Sequence, residues 1–157
     1  VRIVSPAPPR PSTRERLRRL IKGGVWTFDV PSLDLPLEGS GISHHVLDRY
    51  RPVVDRDVPD GDVIIATWFE TAHWVNALAA SKGAKVHLIQ HHEIFDFLPA
   101  DLSRATYRLP FHKIVIARWL KDTMAAEYGD RTVDLVPNSV DHTQFFAPPR
   151  GKQQHPT

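Results

Sequence analysis

Four short apolar runs, spaced by segments of helical periodicity, set the tightest limit on what this chain can become. They are Val63-Ile64-Ile65-Ala66, then 86–90, 113–117 and 133–136. The first is bounded by Gly61 and a polar turn, and the last is ended by Pro137. The first, an unbroken apolar run, suits a strand buried on both faces of a parallel sheet rather than the alternating pattern of a half-exposed one. The spacers read as helices. In 71–80, Trp74, Val75 and Leu78 share a face before Ser81-Lys82-Gly83 closes the segment. In 101–109, Leu102, Ala105 and Leu109 fall in register, and 118–128 runs to Gly129, a residue suited to the left-handed position that ends helices. Strand alternating with helix in this way predicts an α/β domain: a parallel sheet with helices on both faces. No internal repeat is visible.

The flanks are less regular. Residues 1–5 are apolar and β-branched, which predicts a strand. Residues 6–11 hold four prolines and must be loop. Ser12 or Thr13 is placed to cap a helix over 12–22, with Leu17, Leu20 and Ile21 on one face and Gly23-Gly24 as its stop. Residues 25–59 mix prolines, glycines and short apolar pieces and read as a variable insertion, with a helix expected over 42–50. Residues 147–157 read as linker. The first 22 residues carry seven basic side chains and one acid, Glu15. That suits either a solvated helix face or a patch that meets anionic lipid headgroups or phosphates. The net charge of +2 is too small to argue for nucleic acid. The chain has no cysteine, so disulfides and thiolate metal sites are excluded. It has no apolar run long enough to span a bilayer and no secretory leader at its start. A cytoplasmic location fits these features. A chain that starts at Val1 is expected to be a cut or processed product.

In an open parallel sheet, ligands gather at the carboxyl ends of the strands. After the first run comes Thr67-Trp68-Phe69-Glu70. Thr67 can hydrogen-bond a sugar or phosphate, Trp68 can stack on an apolar sugar face, and Glu70 stands where a helix dipole favours a carboxylate in any case. After the second run comes His91-His92-Glu93, an unusual trio for a plain turn. Neighbouring side chains on an extended segment point apart and no third ligand is evident, so no metal is expected. One imidazole and Glu93 can face the cleft instead, with His91 the preferred one and His92 the alternative. His44, His45, His73, His87 and His112 fall in regular or unreadable segments and read as packed or solvent-facing. There is no Gly-x-Ser-x-Gly, no phosphate loop and no dinucleotide glycine fingerprint. Gly39-Ser40-Gly41 does not follow a clear strand.

Two segments carry a resemblance. Lys113-Ile114-Val115-Ile116-Ala117-Arg118-Trp119-Leu120-Lys121-Asp122 resembles the strand–helix unit of glycosyltransferase family 4. Val136-Pro137-Asn138-Ser139-Val140-Asp141 followed by Phe145 resembles that family's Pro-Asn-Gly-Val-Asp element. Asp62-Val63-Ile64-Ile65-Ala66-Thr67-Trp68 with Leu88-Ile89-Gln90-His91 is similar to a branch acting on cell-surface polysaccharide. The resemblance covers residues 62–148. Two positions depart from the family: Ser139 stands where glycine is usual and Ala117 where serine is usual, which removes a hydroxyl from the cleft.

The resemblance implies one Rossmann-like half of a two-domain GT-B enzyme. Residues 1–146 would be a partial N-terminal, acceptor-side domain and 147–157 the linker toward a missing C-terminal domain. The first strand and glycine loop would also lie outside the chain. It further implies transfer of a sugar from a nucleotide-sugar donor, held mostly by the missing domain, to a sugar, lipid-linked or polysaccharide acceptor. Anomeric configuration would be retained, with no metal or other cofactor. His91 would be the catalytic contact near the transferred sugar. Thr67, Trp68, Glu70, His92 and Glu93 would shape the acceptor side, and Asn138 and Asp141 would hold the interdomain turn. The basic N-terminal segment would approach an anionic membrane surface from the inner face, and this fragment alone would be inactive. The rival class is a non-catalytic α/β ligand-binding module.

Overall fold

A computed structural model describes residues 1–7 and 39–146. The helix expected over 12–22, with its basic residues, and the linker over 147–157 lie outside them. So do residues 25–38 of the insertion expected over 25–59.

The described chain is α/β, with parallel strands in two sheets. Strand β1 (Arg2–Ser5) pairs in parallel with β2 (Ser43–Val46). The larger sheet has the order β3-β4-β5-β6, formed by Val63–Ala66, Ala84–Ile89, His112–Val115 and Asp134–Leu135. Between successive strands run the helices α1 (Phe69–Ala77), α2 (Ala100–Thr106) and α3 (Arg118–Tyr128). Each expected strand and helix after residue 62 is present, with ends moved by up to three residues.

Residues 42–50 are not the expected helix. Gly39 and Gly41 take φ of 76° and 70°, and the chain then extends to pair with β1, Ile3 opposite His44 and Val4 opposite His45. Tertiary pairing overrides a weak helical pattern here.

The strand order advances in one direction, so right-handed crossovers place successive helices on the same side. Packing agrees. Ala66 and Ile64 of β3 meet Ala72, Val75 and Leu78 of α1 together with Phe111. Ile89 and Val115, which are register partners, meet Leu120 and Met124 of α3 together with Tyr107 and Val133. Since Ala66 is opposite His87 and side chains two apart share a face, all of these point to one side of the sheet. On the other side, Val63 and Ile65 are 55% and 54% exposed. The reading of 63–66 as buried on both faces is therefore corrected, as is the expected placing of helices on both faces: among the described residues the helices pack on one side of the larger sheet and β3 is an edge strand covered on that side.

Two backbone details hold the end of the sheet opposite the strands' carboxyl ends. Gly83 precedes β4 at φ 104°, with its backbone against residues 61–63; a Cβ there would lie 2.5 Å from the Asp62 carbonyl carbon. Gly129 ends α3 in the left-handed region at φ 71°, where Met124 O accepts from the amides of both Gly129 and Asp130. Beyond that turn, the nearly buried Lys113 donates from Nζ to Asp130 Oδ2 at 2.7 Å and to the Leu109 carbonyl at 3.1 Å.

Candidate functional site

The carboxyl ends of β3, β4 and β6 each lead into a helix or loop that carries some of the expected residues. After β3, Thr67 is exposed and Trp68 is the extended residue that starts α1. Trp68 offers no capping oxygen. The start is fixed by Thr71, whose Oγ1 accepts from the amides of Thr67 and Trp68 at 3.1 and 3.0 Å and donates to the Trp68 carbonyl at 2.7 Å. Glu70 stands one residue inside the helix, and the Tyr50 hydroxyl donates to its Oε2. That carboxylate holds the Tyr50 phenol up at about 12.

The segment after β4 divides its three candidates among different environments. His91 is exposed. Its ring stacks on Phe95 with centroids 5.0 Å apart and meets the edge of Trp119 at 5.6 Å. His91 Nδ1 lies 3.0 Å from the His92 carbonyl. A carbonyl only accepts, so Nδ1 carries the hydrogen, and in the neutral imidazole Nε2 is then a lone-pair acceptor. His92 turns the other way. Its Nε2 is 2.7 Å from the Tyr128 hydroxyl and its ring packs against Tyr107, an environment that lowers its pKa mainly through burial.

Glu93 is only 3% exposed. Its Oε2 accepts from the Phe69 amide at 2.9 Å, so it caps the first turn of α1 from the neighbouring strand end. Its own amide donates to Tyr107 Oη at 2.8 Å. Burial pushes the Glu93 carboxyl up to about 7, against the opposing pull of the Phe69 amide. The trio therefore presents one open imidazole, one clamped imidazole and one carboxyl bound to the helix start. It does not form a shared polar face. Among the described residues, no group of three His, Asp or Glu side chains is placed to hold a metal ion.

A cleft of about 630 Å³ opens beside this region, between α1 and the start of α2. Trp68, Glu70, His73 and Trp74 form its α1 wall, and Leu98, Pro99 and Leu102 face them. His91 begins and Leu98 nears the end of the same loop, so the open imidazole and the cleft flank one short segment. Phe95 and Phe97 stack within that loop at 5.3 Å, and Phe97 is 79% exposed.

Farther along, Asn138 is exposed after β6. Asp141 closes a turn: its Oδ1 accepts from the Thr143 amide at 2.8 Å and hydroxyl at 2.6 Å, and these bonds lower its pKa. Neither side chain touches His91 or the cleft in any hydrogen bond.

Several residues of this region were not singled out from sequence. Tyr50 lay in the unreadable stretch, and Trp74 and His73 read as ordinary helix residues. Trp119 appeared only as part of a motif. The usable signal was the aromatic density of 68–74, where two tryptophans and a histidine surround Glu70. Among the described residues no helix is long and apolar enough to cross a membrane. No family model, no curated protein and no solved structure matches the chain.

Proposed function

We propose that this chain is the acceptor-side α/β half of a retaining glycosyltransferase, with His91 as its contact to the transferred sugar. The observation that carries the reading is the state of His91. It lies open at the carboxyl end of a parallel strand, with Nδ1 pinned to a carbonyl and Nε2 turned into an acceptor between Phe95 and Trp119. That arrangement suits accepting a hydrogen bond from a sugar hydroxyl while aromatic rings cover the sugar's carbon face. The resemblance of 113–122 and 136–145 to glycosyltransferase family 4 supports the same reading. The donor would be a nucleotide-sugar held largely by a second domain. The acceptor would be a sugar, lipid-linked or polysaccharide chain at Thr67, Trp68 and Glu70. His92 and Glu93 would act by fixing the loop that carries His91, since their side chains are engaged with Tyr128 and with the Phe69 amide. The basic segment over 1–22 would approach an anionic membrane surface from the cytoplasmic side.

The test is made on the longer protein that contains this chain. Release of nucleoside diphosphate from a panel of nucleotide-sugars is followed with and without an acceptor. His91→Ala should lower kcat by at least about a hundredfold with the fold unchanged, the ordinary effect of removing a proton-handling contact. A variant as active as the parent would defeat the role of His91. Sugar transfer by the 157-residue chain alone would defeat the reading of it as half an enzyme.

A further inference from the structure

The α1–α2 cleft holds an anion among aromatic rings, and among the described residues its lining contains no lysine or arginine to balance it. Trp68 and Trp74 bring half-buried indole rings to it. Glu70 has one oxygen, Oε2, engaged by the Tyr50 hydroxyl, and Oε1 has no partner among the described residues. Through that hydrogen bond the carboxylate holds the Tyr50 phenol up at about 12. His73 Nε2 is 3.0 Å from the Leu102 carbonyl, so Nε2 carries the hydrogen, and in the neutral imidazole Nδ1 is then an acceptor. His73 and Trp74 follow Glu70 by three and four residues on one helix, so the three are neighbours on one face. Opposite them, Leu98, Pro99 and Leu102 form an apolar wall.

Each feature removes a ligand class. A phosphate or a carboxylate would meet a like charge and no cation. A pure hydrocarbon would strip water from the Glu70 carboxylate with no hydrogen bond in return, which is costly. A quaternary ammonium has the right charge but no N–H, so it would leave both acceptors unpaired. A guanidinium fork wants two carboxylate oxygens side by side, and Tyr50 already holds one of them. A protonated amine on an alkyl stem fits every element. Its N–H groups can reach two acceptors, its charge balances Glu70, the indole rings attract it, and its stem finds the apolar wall. The cleft, at about 630 Å³, lies within the usual range for small-molecule sites.

We infer that this cleft is a binding site for a small alkylamine, its ammonium donating to Glu70 Oε1 and His73 Nδ1 beside Trp68 and Trp74, and its stem against Leu98 and Leu102. Tyr50 sets the selectivity: by holding Oε2 it leaves a single carboxylate oxygen, which suits an ammonium and not a guanidinium. The inference does not rest on the transferase reading. It assigns the cleft a cationic ligand, and an amine held there keeps any other ligand from Trp68 and Glu70.

The experiment is tryptophan fluorescence titration of the full chain at pH 8 and low salt, with saturation-transfer NMR as a second readout. The probes are n-butylamine, the N-methylamide of Nα-acetyl-lysine, methylguanidine, tetramethylammonium and methyl glucoside. Butylamine should perturb the fluorescence, receive saturation along its stem and bind more tightly than the other four. Glu70→Gln should weaken it about tenfold or more, the scale of a hydrogen bond to a charged acceptor. Tyr50→Phe frees Oε2, so methylguanidine should gain on butylamine in that variant. His91→Ala should leave butylamine binding unchanged. Glu70→Gln retains an oxygen that accepts from Tyr50, so it is expected to fold, and a parent-like thermal transition checks this. No response to butylamine overturns the inference, and so does equal affinity in the parent and Glu70→Gln. Tighter binding of tetramethylammonium or methyl glucoside overturns the ligand class. Tighter binding of the lysine amide overturns the small-molecule assignment in favour of a peptide. Sugar transfer by the longer protein is a separate readout, so this inference and the transferase reading fail separately.

Discussion

Replacing Glu93 by glutamine should flatten the loss of stability as pH rises from 4.5 to about 7. The carboxyl is almost fully buried and its pKa rises from an ordinary 4.5 to about 7. The sign follows from the two states. Below 4.5 the group is protonated whether the chain is folded or unfolded, and it costs nothing. Between 4.5 and 7 the unfolded chain releases the proton while the folded chain keeps it, so stability falls as pH rises. Above 7 the full cost is in place. At about 1.36 kcal/mol per pH unit, the window from 4.5 to 7 corresponds to about 3 kcal/mol. Glutamine keeps an oxygen for the Phe69 amide, 2.9 Å away in the parent, and carries no ionisable proton. Urea or thermal unfolding at pH 5 and pH 8.5 should show the variant gaining on the parent by about 3 kcal/mol between the two conditions. For a chain of this size that is about 6–12 °C in melting temperature. Comparing the pair at each pH cancels the other titrating groups. Parallel pH profiles for parent and variant would refute the argument, because they would mean the Glu93 carboxyl is solvated or already satisfied as an anion.

Three further perturbations probe the frame of the fold. Asp130→Asn should cost about 3–5 kcal/mol in denaturant unfolding, since it leaves the buried Lys113 ammonium without its charge partner. The parent should lose part of that contribution only in strong acid, as pH falls from 3.8 toward the Asp130 pKa of about 2. His87 is wholly buried with neither ring nitrogen bonded among the described residues, and burial, aided by Lys113, drives its pKa from 6.5 to about 4. His87→Leu should therefore gain on the parent by up to about 3 kcal/mol as pH falls through that window, whatever its offset at pH 8. Gly83→Ala should prevent folding or lower the melting temperature by more than about 10 °C, because the new methyl meets backbone and not a movable side chain. Circular dichroism melts decide each case.

What was legible in the sequence follows a physical division. The strands and helices after residue 62 were readable because each is a local pattern: an apolar run of strand length, a helical stripe, a glycine where the chain turns left-handed. Residues 42–50 were not, because β2 exists through pairing with β1, some forty residues earlier in the chain, and its own residues Ser43-His44-His45-Val46 carry no strand pattern. The exposed face of β3 was misread for a related reason: an apolar run states what a strand would bury, and the neighbours decide what is covered.

The site divides in the same way. His91-His92-Glu93 could be found from residue type and from its place at a strand end. Its partition into one open imidazole, one clamped by Tyr128 and one carboxyl capping α1 could not, because the clamping partners lie in α1, α3 and the residue that ends α2. Tyr50, His73 and Trp74 were invisible as a group until α1 gathered them. The two buried titrating residues extend this reasoning to stability. Glu93 loses stability as pH rises from 4.5 to 7, and His87 loses it as pH falls from 6.5 to 4. Their costs cross near pH 5 to 6. A double variant, Glu93→Gln with His87→Leu, should show a broader stability plateau on both sides than either single change, because each removes one flank of the same curve.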